Sequence, residues 1–122
     1  MKYSNKIAIT TGDINGIGTE VTIKALNSLD VDPEKIVLIT NKKSLELYPK
    51  LNKDYEIIDI PFEGEVEFGK LTKNSGEFSF QALKKACEIR PKFIVTAPIS
   101  KEAFHLAGHK FNGQTEVLEH YL

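Results

Sequence analysis

Lys6-Ile7-Ala8-Ile9-Thr10-Thr11-Gly12-Asp13-Ile14-Asn15-Gly16-Ile17-Gly18 runs from a short apolar stretch straight into a glycine-rich turn. Lys6 to Thr10 reads as a buried strand, rich in β-branched side chains. Gly12, Gly16 and Gly18 permit a tight turn and close approach of the backbone to a neighbour or a ligand. Thr19 to Leu29 follows as a helix, with apolar positions at Val21, Ile23, Ala25, Leu26 and Leu29. Strand, glycine turn and helix set the pattern that the rest of the chain repeats.

Lys35 to Thr40 (KIVLIT), Tyr55 to Ile60 (YEIIDI) and Lys92 to Thr96 (KFIVT) read as the second, third and fourth strands. A short helix is expected over Lys42 to Tyr48, closed by Pro49. The longest helix is expected over Ser75 to Ile89, apolar at Phe78, Ala82, Leu83, Ala86 and Ile89 and stopped by Pro91. Between them, Glu63 to Lys73 is charged and contains glycine, with room for a short strand at Val66 to Phe68. Ser100 reads as the N-cap of a helix through Leu106, stopped by Gly108. Thr115 reads as the cap of a last helix that starts at Glu116 and runs to the chain end. This alternation predicts an α/β layered fold with a mostly parallel sheet, one region over residues 1–122. No repeat, low-complexity segment or interdomain linker interrupts it.

Composition narrows the partners. Of 122 residues, 41% are hydrophobic, enough for a core, and the formal net charge is −1. A balance so near zero gives no reason to expect nucleic acid or an acidic membrane as partner. The lysine pairs Lys42-Lys43 and Lys84-Lys85 fit solvated faces. Cys87 is the one cysteine, so no internal disulfide forms, and its place in an apolar-periodic segment predicts a buried structural thiol. Met1 to Asn5 is polar and unlike a signal peptide, and no apolar segment reaches membrane-spanning length. The expected compartment is the cytoplasm.

Three segments are candidates for chemistry. In the first, the turn from Gly12 to Gly18 sits between a strand and a helix, where free N–H groups and the helix dipole favour an anion. It is neither a Walker A loop nor Gly-x-Gly-x-x-Gly, and a tight βα turn without a ligand explains it equally well. Asp13 fits a turn-forming role or an active-site one, and Gly16 and Gly18 line the same turn. In the second, Thr96-Ala97-Pro98-Ile99-Ser100-Lys101 lies at the carboxyl end of a strand, where open α/β sheets bind ligands. Lys101 there would meet a phosphate or carboxylate as a point charge, or simply be solvated. In the third, Phe111-Asn112-Gly113-Gln114-Thr115-Glu116, Gln114 and Thr115 offer hydrogen bonds to a polar ligand, or Thr115 caps a helix. His105, His109 and His120 lack the spacing of a metal motif and read as surface or capping residues.

Taken together, IAITTGDINGIGTEVTIKAL and FIVTAPISKEAFHLAGHKFNGQTEVLEHYL resemble the 4-hydroxythreonine-4-phosphate dehydrogenase family. That family carries Gly-Asp-x-x-Gly-Ile-Gly-x-Glu after its first strand. Further on come Thr-(Ala/Gly)-Pro-(Ile/Val)-x-Lys and Gly-His-Thr-Glu. Residues 30 to 75 carry no legible signature. The resemblance implies the N-terminal part of a longer two-domain enzyme, with the layered architecture of isocitrate and isopropylmalate dehydrogenases. It implies NAD-dependent oxidation of 4-phosphooxy-threonine with decarboxylation, in pyridoxal 5'-phosphate biosynthesis. It also implies a homodimer and a divalent metal (Zn, Mg or Co) whose three histidine ligands match nothing in this chain.

Catalytic residues are unassigned. The family's His-Thr pair contacts the phosphorylated hydroxy amino acid substrate, which nominates Gln114 and Thr115. Gln114 stands where the family has His, and an amide neither titrates nor carries charge. On this reading the 122-residue chain is a truncated, inactive part of the enzyme. The competing readings are a non-enzymatic phosphate- or anion-binding module, a truncated relic, and a dehydrogenase of the isocitrate or isopropylmalate type, which lacks the Gly-x-Thr-Glu segment.

Overall fold

The computed structural model describes residues 1–122. Its centre is a four-stranded, all-parallel sheet: β1 (Ile7–Thr10), β2 (Ile36–Thr40), β3 (Glu56–Asp59) and β4 (Phe93–Thr96), in spatial order β3-β2-β1-β4. Four helices complete it: α1 (Gly18–Ser28), α2 (Lys73–Glu88), α3 (Lys101–Leu106) and α4 (Gln114–Tyr121). The α/β, parallel-sheet class expected from the alternation is the one observed.

Side-chain alternation splits the core into two layers, one on each face of the sheet. Ile36 and Leu38 of β2 pack with Leu26 of α1 and with Tyr55. Ala8, Val37 and Ile39 point the other way and pack with Phe78, Ala82 and Ala86 of α2. β2 is buried along its whole length, as expected of an interior strand with a helix on both faces. On the outer side of α2, a third cluster joins Phe80 and Leu83 to Phe104 of α3 and Val117 of α4. Cys87 is buried as expected, and burial pushes its thiol pKa up. β4 is an edge strand, and Phe93 and Val95 stand exposed on the face that also bears Ile7 and Ile9.

Local chemistry explains where the elements depart from expectation. α2 begins at Lys73, two residues early, because Thr72 and Ser75 cap it reciprocally. The Thr72 Oγ1 accepts from the Ser75 N–H at 3.0 Å, and the Ser75 Oγ accepts from the Thr72 N–H at 3.2 Å. The helix expected over Lys42 to Tyr48 is a 3₁₀ helix at Lys43–Leu47. Asn41 tightens its start, since Asn41 Oδ1 accepts from the Ser44 N–H and the Ser44 hydroxyl donates to the Asn41 carbonyl.

No strand forms at Val66 to Phe68. There the backbone bonds to buried Asn15 instead. Asn15 Oδ1 accepts from the Glu67 N–H at 2.9 Å, its Nδ2 donates to the Lys70 carbonyl at 3.2 Å, and its carbonyl accepts from the Gly69 N–H at 2.7 Å.

Candidate ligand crevice

The strand order fixes where a ligand belongs. From β1 the chain steps to β2 and β3 on one side, then crosses through α2 to β4 on the other side of β1. The order therefore reverses between β1 and β4. In open α/β sheets, the crevice outside the carboxyl ends of strands at such a reversal is the binding position. Both nominated βα loops, Thr11–Ile17 and Ala97–Ser100, leave the sheet there.

The two loops are fastened together. The Ala97 N–H donates to the Thr10 carbonyl at 3.0 Å, and the Asp13 N–H donates to the Pro98 carbonyl at 2.9 Å. The Ser79 hydroxyl of α2 donates to the Gly12 carbonyl at 3.2 Å, and the Thr11 and Thr40 hydroxyls share a 2.7 Å bond. Gly12 has a positive φ of 74°, and a Cβ on it would lie 2.2 Å from the Pro98 oxygen. A Cβ on Gly18 would lie 1.9 Å from the Thr11 oxygen. These glycines are needed because protein backbone occupies the space beside them. The turn is a packing joint, and the reading of it as a tight βα turn is the one its contacts favour. Gly16 is less constrained, as its Cβ would meet the flexible Asp13 carboxylate at 3.1 Å.

Asp13 fills the turn-forming role expected of it. Its Oδ1 accepts from the Asn15 N–H at 3.0 Å, closing an Asx turn. Its half-buried carboxyl has a pKa raised by burial, an effect partly offset by that N–H. A raised folded-state pKa means the ionised form destabilises the fold, and the penalty fades as pH falls through that pKa. Asp13→Asn keeps the acceptor and removes the charge. It is therefore expected to raise the thermal midpoint at pH 7, with the gap narrowing toward pH 4. An unchanged or lower midpoint at pH 7 in paired thermal melts would refute the burial penalty.

Gln114 joins the crevice from α4. Its Nε2 donates to the Ala97 carbonyl at 3.2 Å. Thr115 is exposed in the first turn of α4 and does not cap it, a correction to the sequence expectation. The N-cap is Gly113, and Glu116 turns back to accept from the Asn112 N–H at 2.7 Å. No side chain caps α1 or α4, so first-turn N–H groups of both are free of that kind of partner. Ser100 does cap α3, accepting from the Ala103 N–H at 3.1 Å. Lys101, the first residue of α3, is exposed and forms no ion pair. Asp13, the glycine turn and Gln114 thus meet around Ala97 and Pro98, while Lys101 makes no bond with them.

His105 and His120 are exposed, as expected of surface residues, whereas His109 is partly buried. Its ring stacks on Phe80 with centroids 3.6 Å apart, and its Nε2 lies 2.7 Å from the Glu77 carboxylate. His105 Nε2 is 3.1 Å from the Phe111 carbonyl. Together they pin the segment leading to Gln114. Thr10, Asn15 and Ala97 also build the site from within the segments singled out above, and Ser79 of α2 joins them with no motif to mark it. Nowhere do three His, Cys, Asp or Glu side chains converge as a metal site. A groove of about 790 Å³ opens elsewhere, between Asp59–Glu63 and α2. Its Glu63, Glu77 and Glu88 alternate with Lys73 and Lys85, and it contains none of the nominated residues.

Fold and site together define a doubly wound α/β unit whose candidate ligand crevice lies at the strand-order reversal. The chain belongs to the family of the pyridoxal phosphate biosynthetic protein PdxA, whose family model matches residues 5–122. It is 34% identical to the 4-hydroxythreonine-4-phosphate dehydrogenase of Sulfurimonas denitrificans, over 95% of this chain and 41% of that protein. It is 30% identical to the D-threonate 4-phosphate dehydrogenase of Salmonella typhimurium, over 92% of this chain and 42% of that protein. The crystal structure of 4-hydroxythreonine-4-phosphate dehydrogenase from Klebsiella pneumoniae superposes with a TM-score of 0.85 at 28% identity, covering 97% of this chain and 44% of that one. The match therefore includes residues 30 to 75, where the sequence showed no signature. The chain spans about two fifths of the length of the curated relatives it matches.

Proposed function

We propose that these residues form the N-terminal part of an NAD-dependent dehydrogenase that oxidises 4-phosphooxy-threonine with decarboxylation, on the route to pyridoxal 5'-phosphate. In that reaction the carbon bearing the hydroxyl gives a hydride to the nicotinamide ring, and the resulting β-keto acid loses carbon dioxide. The observation that most supports the reading is the meeting of the Gly12–Gly18 turn and Gln114 at the Ala97 carbonyl, within a family match that covers residues 5–122. These side chains bind and orient. Asp13 and Gln114 face the substrate crevice, and the first-turn N–H groups of α1 and α4, which no side chain caps, offer donors to an anion. Thr115 adds an exposed hydroxyl beside them.

The residues present do not fit a divalent metal, because no three ligands converge. Nor does the glycine turn cradle a dinucleotide, since backbone oxygens fill the space beside Gly12 and Gly18. The reading assigns both groups to parts of the enzyme other than these residues. It also makes the working enzyme a cytoplasmic homodimer. No helix here is long and apolar enough to cross a membrane.

The test is an NMR titration of the ¹⁵N-labelled chain with 4-phosphooxy-threonine. Shifts confined to Gly12–Gly18, Ala97 and Gln114–Thr115 are expected. Spectra unmoved at millimolar ligand would overturn the assignment of the crevice. Equal shifts with inorganic phosphate alone would favour the anion-binding module instead.

A further inference from the structure

The crevice has a polarity that the Gln114 side chain sets. Its amide has two ends, and the Ala97 carbonyl decides which end faces where. The Nε2 lies 3.2 Å from that carbonyl oxygen and donates to it. The flipped amide would set two oxygens against each other, so one orientation is favoured. The other end, Oε1, is then buried without any donor. A carbonyl oxygen in that condition forfeits a hydrogen bond it had in water, and a ligand that donates to it restores the loss.

A second orphan belongs to a residue that Ala97 also bonds. The Thr10 Oγ1 is buried and unpartnered, on a residue only 1% exposed. Ala97 joins the two residues: its N–H donates to the Thr10 carbonyl and its carbonyl accepts from Gln114. The Asp13 carboxylate, whose N–H bonds to Pro98, is a third oxygen at the same edge. Arg90, the sole arginine among these residues, precedes β4 and so lies at the opposite end of the sheet, away from this edge.

We propose that Gln114 is a specificity-determining residue that presents a hydrogen-bond acceptor, selecting the hydroxyl- or ammonium-bearing end of the substrate over its anionic groups. The inference rests on the reading of this crevice as the substrate site. An acceptor gains a bond from an ammonium or a hydroxyl and repels a bare anionic oxygen.

Two ligands separate the possibilities: 4-phosphooxy-threonine, and 4-phosphooxybutanoate, which keeps the phosphate and carboxylate but has no hydroxyl or ammonium. The chain is expected to bind the first at least about tenfold more tightly, the ratio that one hydrogen bond of ordinary strength supplies. Gln114→Met should abolish that preference by weakening the first ligand alone, in a variant whose amide spectrum stays dispersed. Gln114→His is the second variant. Its ring can still donate to Ala97, and its other nitrogen accepts when neutral and donates when protonated. The preference in Gln114→His should therefore hold at pH 8 and fall below about pH 6.5, the ordinary histidine pKa, while that of the unsubstituted chain stays level. The shared phosphate titration cancels in the ratio. Equal binding of both ligands, or equal weakening of both by Gln114→Met, overturns the proposal and leaves the crevice assignment standing. Failure of both ligands to move the crevice resonances overturns both.

Discussion

Gly12→Ala is expected to lower the unfolding free energy by about 2–5 kcal/mol, and to do so at the crevice itself. Two penalties combine. The φ of 74° at Gly12 is left-handed, which costs a residue with a Cβ about 1–2 kcal/mol. The new methyl would also lie 2.2 Å from the Pro98 oxygen and 2.8 Å from the Ala97 oxygen, both backbone atoms. Forcing a methyl into such a space costs about 1–3 kcal/mol. Relief requires the loops after β1 and β4 to part, which stretches the bond from the Asp13 N–H to the Pro98 carbonyl.

Gly69→Ala is the control, because Gly69 has a similar φ of 79° and nothing within 4 Å. It should show the conformational penalty alone. Urea denaturation of both variants checks the argument. If Gly12→Ala costs no more than Gly69→Ala, then the close approach of the two loops is wrong. Domains of this size are stable by about 5–15 kcal/mol, so the upper end of the expected loss leaves little fold behind.

That joint shows how far the sequence was legible. The strand–glycine–helix order announced β1 and α1 because local patterns alone determine them. Ser100 could be read as a cap for the same reason: its hydroxyl bonds three residues along. Gly12 and Gly18 were legible as glycines that matter, but their partners were not. Pro98 lies 86 positions away from Gly12 in sequence, and only the β1–β4 pairing brings them together. The same limit explains Val66 to Phe68. Its alternation suits a strand, but a buried Asn15 more than fifty positions earlier takes its backbone groups. Thr115 failed as a cap because helix start depends on the preceding backbone, where Gly113 ends the extended segment two residues sooner. At Gln114 the residue type was legible, and its consequence was not. Which end of an amide faces a ligand depends on the neighbour that takes the other end, and here that neighbour is a backbone carbonyl of β4's own loop.

Gly76→Ala sets a local preference against a tertiary one. Alanine in a helix interior is favoured over glycine by about 1 kcal/mol, so propensity alone expects α2 to gain stability. The packing argues otherwise. A Cβ on Gly76 would lie 1.8 Å from the Ala103 oxygen and 2.3 Å from its carbon. Ordinary contact begins near 3.4 Å, and the offending atoms are α3 backbone rather than a side chain that can turn away. The Ala103 oxygen is also committed within α3, accepting from the Ala107 N–H at 3.1 Å. α3 must therefore move as a body. Overpacking of about 1–3 kcal/mol, and more where backbone is the obstacle, outweighs the helical gain. After the helical gain of about 1 kcal/mol is subtracted, a net loss of up to about 2 kcal/mol is expected in thermal or urea unfolding.

The displacement should also reach the site. α3 and α4 share the Phe80–Leu83–Phe104–Val117 cluster with α2, and α4 carries Gln114 to the Ala97 carbonyl. Pushing α3 from α2 strains that cluster and the His109–Phe80 stack that pins the intervening loop. Crevice resonances at Gln114 and Ala97 should shift in the free protein, while those of β2, buried between α1 and α2, stay in place. A more stable Gly76→Ala protein with an unmoved Gln114 would mean that α2 and α3 do not cross as closely as described, and that α4 is positioned by something other than that crossing.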